Sequence, residues 1–156
     1  MDGILTALAV WLASHSAYPA TEHPLPELVL LTPEGLTAEA YTDAPRMIPE
    51  GGVDDRINAL YAIEDGANGV IYALAPQFVD GAEHFDDPAD NPAFREIILH
   101  ELVHHAQSMT GEYGRMQCRA QGERDAYLIG GRYLKSRHAR DPLPNRNFWA
   151  HVYSRC

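Results

Sequence analysis

Cysteine is scarce in this chain, with two in 156 residues, Cys118 and Cys156. That is too few for a disulfide-stapled scaffold, although a single pair suits an exported protein whose signal has been removed. Long apolar runs are missing too. The longest, from Ile4 to Ala13, has about ten residues against the roughly 18–20 that a bilayer-spanning helix needs, so no membrane span is expected. Positive charge is in short supply: 12 Lys and Arg face 22 Asp and Glu, giving a net charge of -10. A phosphate backbone would be repelled, which argues against nucleic acid as a partner. The sequence also lacks internal repeats, low-complexity tracts, a glycine-rich phosphate loop and any Ser or Cys nucleophile motif. What remains is 46% hydrophobic and 22% charged, the balance of an ordinary globular chain, and its length suits one domain over 1–156.

Periodicity and breakers divide the chain. Ile4, Leu5, Leu8, Trp11 and Leu12 share one face of a helix over Ile4–Ser16, ended by Tyr18-Pro19. Asp2 stands where the basic residues of a signal peptide would be, which favours a folded helix. Glu27–Leu31 is a β-compatible run, and Thr32-Pro33 then offers an N-cap and a first-position Pro for a helix over Glu34–Tyr41. Thr42–Asp55, rich in Pro and Gly, predicts a mobile loop. Ile57–Ile63 and Val70–Ala75 form a hairpin around Asp65-Gly66 and Asn68-Gly69. An acidic loop, Pro76–Asp90, precedes Asn91-Pro92, which opens a long helix to about Met109, stopped by Gly111. Met116–His138 predicts a further helix, softened near Gly130-Gly131, and a short element over Asn145–Tyr153 is expected to pack Phe148 and Trp149.

The chemistry concentrates in His100-Glu101-Leu102-Val103-His104, an HExxH pattern inside the long helix. Residues four apart stack about one turn above each other, roughly 6 Å apart, so both imidazoles can address one metal ion. Glu101 would hydrogen-bond a metal-bound water as general base without being a ligand. A shuffled chain of this composition would contain the pattern about 3% of the time, which makes a third ligand the decisive question. Glu123 supplies it: it sits in the next predicted helix, and a turn through Gly111–Arg115 returns it to His100 and His104. Ala126, Tyr127, Gly130 and Leu134 follow on the same face and let the two helices pack. The competing reading makes Glu123 a solvated carboxylate paired with Arg119.

At these residues the chain resembles the gluzincin branch of the zincin metallopeptidases, whose HExxH and downstream helical Glu are matched by His100, Glu101, His104 and Glu123. It is also similar to a bacterial family of short, mostly exported proteins of unknown function. That likeness rests on Leu8-Ala9-Val10-Trp11-Leu12, on Leu60-Tyr61 with Ile71-Tyr72, on the run His100 to Gln107, and on a Cys before the Glu helix and another at the end. The gluzincin resemblance implies Zn²⁺, a peptide or protein substrate, peptide-bond hydrolysis and a minimal zincin-like α+β fold, in which the metal helix and glutamate helix pack on a small sheet with a β-hairpin. A zinc-containing binding or interaction module is the alternative. Larger gluzincins close their cleft with a C-terminal domain; with 33 residues after Glu123, a shallow cleft is expected here. Tyr113, Tyr127, His84 and His138 are candidate transition-state donors, and spacing selects none of them.

The remaining features carry weaker expectations. By order of elements, Val70–Ala75 is the candidate sheet edge for an extended substrate, with a plain buried strand as the alternative. Gln107 and His105 flank the motif; His105 lies about 100° round the helix from His104, so it is expected behind the ligands or at the surface. Cys118 precedes Glu123 by five residues, about 140° away, which makes it a poor ligand and leaves it free to bond Cys156; a disulfide is preferred over free thiols, and with it an exported location. Asp80, Glu83, Asp86, Asp87 and Asp90 lack EF-hand spacing and are expected as solvated surface.

Overall fold

The computed structural model describes residues 2–156. In chain order its elements are α1 (Asp2–His15), β1 (Glu27–Leu31), α2 (Pro33–Ala40), β2 (Ala59–Ala62), β3 (Val70–Leu74), α3 (Pro92–Met109), α4 (Glu123–Ser136) and α5 (Arg146–Tyr153). Among the described residues this is a small α+β domain of five α-helices and a three-stranded mixed sheet.

Local chemistry sets the helix starts. Thr32 accepts from the Gly35 N–H at 3.2 Å to cap α2, and Asn91 accepts from Ala93 N–H at 2.9 Å to cap α3, with Pro92 as the first helical residue. The Asn91 amide also donates to the Asp80 carbonyl at 3.0 Å, so this cap anchors the acidic loop as well. Asp80, Glu83, Asp86, Asp87 and Asp90 are all exposed, as expected. The hairpin forms with Gly66 and Gly69 at positive φ.

Helix α3 is the spine. Phe94, Ile98, Leu99, Leu102 and Val103 are fully buried, packed with Leu8 and Leu12 of α1 and Ile71 and Ala73 of β3. Each such large side chain contributes about 1.5–3 kcal/mol by leaving water. The ligand-bearing face of the same helix turns the other way, onto α4.

Several expectations need correction. The sheet order is β1-β3-β2, with β1 parallel and β2 antiparallel to β3. Val70–Leu74 is therefore the buried central strand, hydrogen-bonded on both sides, and the free edge on the hairpin side belongs to β2. The helix expected from Met116 starts only at Glu123, after a 3₁₀ turn over Arg119–Gly122. It then runs straight through Gly130-Gly131, because those glycines serve close packing: a Cβ on Gly130 would collide with the Glu96 carboxylate, and one on Gly131 with the Arg146 side chain. Helix α5 buries Arg146 and Ala150 and leaves Phe148 58% exposed, since the surface it faces is this ion pair and not an apolar patch. Trp149 is half-buried and stacks on Tyr153. The Thr42–Asp55 loop ends on a fixed point, where Asp54 is buried and bound by Tyr41, Arg56 and the Thr37 hydroxyl. No described helix is long and apolar enough to cross a membrane.

Candidate metal centre

Four-residue spacing on α3 brings the two imidazoles to one point, where their Nε2 atoms approach to 3.3 Å. From α4, Glu123 reaches back, its Oε2 at 3.1 Å from His100 Nε2 and its Oε1 at 3.3 Å from His104 Nε2. These residues form the one group among the described residues that could hold a metal ion, with donor atoms all within 4.8 Å of one another. Glu123 thus pairs with the histidines, while Arg119 lies over the Tyr113 ring at 5.7 Å.

The electrostatics follow from this crowding. Burial alone would raise the Glu123 carboxyl, but hydrogen bonds to His100 and His104 outweigh it and hold the group far below the usual carboxylate range. Burial pushes His104 down, and Glu123, Glu101 and Gln107 together more than reverse that, leaving it raised. Glu101, the residue after His100, is half-buried. Burial pushes its carboxyl up, against the opposing pull of His100 and His104.

Two cavities meet at Ala59 and Glu101. One, of 330 Å³, is bounded by β2, Tyr113, Arg119, His104 and Glu123. The other, of 750 Å³, continues past His100 and Tyr127 towards Leu143 and Tyr153. The strand that walls the smaller cavity is thus β2 and not β3.

Of the four candidate donors, Tyr113 reaches the cluster, with its hydroxyl at 3.0 Å from His104 Nδ1; burial pushes that hydroxyl well up. Tyr127 packs its ring edge against His100 at 4.8 Å between centroids, and burial first, then Glu123, lifts it to about 12. His84 and His138 are exposed and line neither cavity. His105 is buried and not at the surface: it bridges the Tyr61 hydroxyl at 3.1 Å and the Pro24 carbonyl at 3.0 Å, tying α3 to the hairpin and the Pro-rich link. Cys118 and Cys156 form a disulfide that fastens the end of the chain to the segment preceding Glu123.

Sequence reasoning undervalued Gln107 and missed Tyr18. Gln107 is fully buried and contacts His104, Gly122 and Tyr18 at once, and the Tyr18 hydroxyl donates on to Asp125 at 2.8 Å or Glu112 at 3.0 Å. Contacts spanning 89 and 107 residues leave no local periodicity to detect.

Residues 1–155 match the family described as a domain of unknown function, DUF6647. No curated protein and no solved structure matches the chain.

Proposed function

We propose that this chain, which belongs to the DUF6647 family, is a zinc-dependent hydrolase of peptide bonds, with His100, His104 and Glu123 as ligands and Glu101 as general base. The observation that carries the reading is the convergence of two imidazoles and a carboxylate beside the half-buried Glu101 where two cavities meet. The spacing is compatible with zinc: a tetrahedral ion bonded at about 2.0–2.1 Å needs donors about 3.4 Å apart, the two imidazole nitrogens lie 3.3 Å apart, and Glu123 sets Oε2 3.1 Å from His100 and Oε1 3.3 Å from His104. When bound, zinc supplies Lewis acidity, acidifying a water and polarising a carbonyl oxygen.

The chain's own residues divide the remaining work. A Glu101 carboxylate lifted by burial takes the proton of the attacking water and returns it to the departing amine nitrogen, a role suited to a raised carboxyl. The exposed edge of β2 offers unpaired backbone groups to an extended peptide crossing Glu101. Both cavities fall within, or at the lower end of, the range that small ligands and side chains fill, about 300–1,000 Å³. The disulfide accords with an oxidising compartment outside the cytosol.

Turnover of an unfolded protein or a peptide library, abolished by chelator and restored by zinc, tests the reading. Glu101→Gln should keep the zinc and lower turnover by about 10²–10⁴-fold. A Gln variant that cleaves as well as the wild type overturns the base assignment, and zinc binding without any turnover points to the binding-module alternative.

A further inference from the structure

Gln107 presents a side-chain amide with every polar valence near it spoken for. Its Nε2 lies 3.0 Å from the Gly122 carbonyl oxygen and 3.1 Å from the Tyr18 hydroxyl, and its Oε1 lies 3.0 Å from His104 Nδ1. A backbone carbonyl can only accept, so the NH₂ end of the amide must face Gly122 and the oxygen must face the imidazole. An amide oxygen also only accepts, so His104 Nδ1 must carry a proton to make this bond. Glu123 Oε1, which likewise only accepts, takes a proton from Nε2 while no ion is present; once that proton leaves, the Nε2 lone pair faces His100 and Glu123.

We infer that Gln107 is the positioning residue of the metal centre: it keeps a His104 proton on Nδ1, so that Nε2 is the nitrogen that gives up its proton to a metal, and by holding the Gly122 carbonyl it sets where Glu123 begins its helix. One side chain thereby registers two of the three ligands, on two different helices. This rests on the zinc-site reading above and deepens it. Three further observations bear on it. Gln107 is 0% exposed, so no water competes for its bonds. Gly122 has no room for a side chain, because a Cβ there would lie 2.5 Å from Gln107 Oε1. Tyr18 locks the second amide hydrogen and is itself held by Asp125 or Glu112, so the amide cannot flip without breaking contacts to three segments. Tyr113 then meets Nδ1–H as a second acceptor, which leaves the phenol proton free to point elsewhere.

The bond to Nδ1 matters because neutral histidine in water favours the proton on Nε2, the nitrogen the ion needs. Partners behind a metal-bound histidine typically change metal affinity by about 10–100-fold.

The test has two arms on the full chain. Nitrogen-edited NMR of metal-free wild type should find a slowly exchanging proton on His104 Nδ1; in Gln107→Met that proton should exchange fast. Competition against a chromophoric chelator should show zinc binding weakened about 10–100-fold in Gln107→Met and in Gly122→Ala, with Gln117→Met, an exposed glutamine, unchanged. A wild-type His104 without a protected proton on Nδ1 would overturn the inference without touching the zinc reading, and needs no variant to fold. A folded Gln107→Met that holds zinc as tightly as the wild type would overturn it too. Wild type that binds no zinc while keeping Nδ1–H defeats the zinc reading instead, and leaves the Nδ1 assignment supported.

Discussion

Glu96 and Glu123 are both carboxylates held in the seam between α3 and α4, yet their surroundings are opposites. Glu96 meets Arg146, whose Nη1 lies 2.7 Å away, while the rest of that guanidinium is taken by Asp141 at 2.8 Å and 2.8 Å and by the Tyr127 carbonyl. The cluster carries its own cation, and four of the five N–H donors of the fork are directed at protein oxygen. One turn along α3, Glu123 has two imidazoles and no arginine. The first arrangement is complete and can do nothing but hold helices together; the second has the geometry of a ligand set. A buried carboxylate with a built-in cation is structure, and a half-buried one that faces two imidazoles can hold an added cation.

The sharpest way to break the contrast is to remove the built-in cation. Arg146→Met should destabilise the fold by about 3–5 kcal/mol in denaturant titration, because it leaves Glu96 buried beside no positive charge. Removing a ligand such as Glu123 should instead lose zinc with far less effect on the metal-free fold.

Next in size is the disulfide, which ties the end of α5 to the segment before Glu123 and so braces both clusters across a separation of 38 residues. Cys118→Ser with Cys156→Ser should cost about 2–4 kcal/mol by the same measurement. Zinc at a hundred times its Kd should add about 2.7 kcal/mol, read as a rise in Tm of about 5–10 °C that His104→Ala abolishes. A wild-type Tm indifferent to zinc would erase the distinction between the two clusters.

The smallest effect sharpens the comparison with a third carboxylate. Asp54 is held well below the usual carboxylate range, first by hydrogen bonds from Arg56 and then by Tyr41. A depressed folded pKa means that its stabilisation is present at neutral pH and fades as pH falls through the ordinary carboxylate range towards the folded value. Asp54→Asn should therefore flatten the acid limb of stability between about pH 5 and pH 2 and leave the metal site unaffected. Like Glu96, Asp54 has an arginine of its own, and it too should prove structural.

The ligand helix was legible because its signals are local. Asn91-Pro92 at its start, Gly111 past its end and the four-residue spacing of His100 and His104 all act within a turn or two of chain. Glu123 was found by spacing, although the expected helix around it began seven residues too early: nothing in Met116–Gly122 shows that Cys118 is bonded to Cys156 and that the chain turns in a 3₁₀ coil before α4. Gly130 and Gly131 looked like helix breakers because the side chains that need their space, Glu96 and Arg146, come from distant segments. Phe148 looked like core for the same reason in reverse.

The sequence by itself determined most of the helices, the hairpin and which residues could hold a metal, since each depends on spacing along a continuous backbone. Only the tertiary structure decided which strand is the edge, which buried carboxylate receives an arginine and which nitrogen of His104 faces the ligands. Those outcomes depend on hydrogen bonds and ion pairs between residues tens of positions apart, whose strength comes from shared burial, and burial does not exist until the chain has folded.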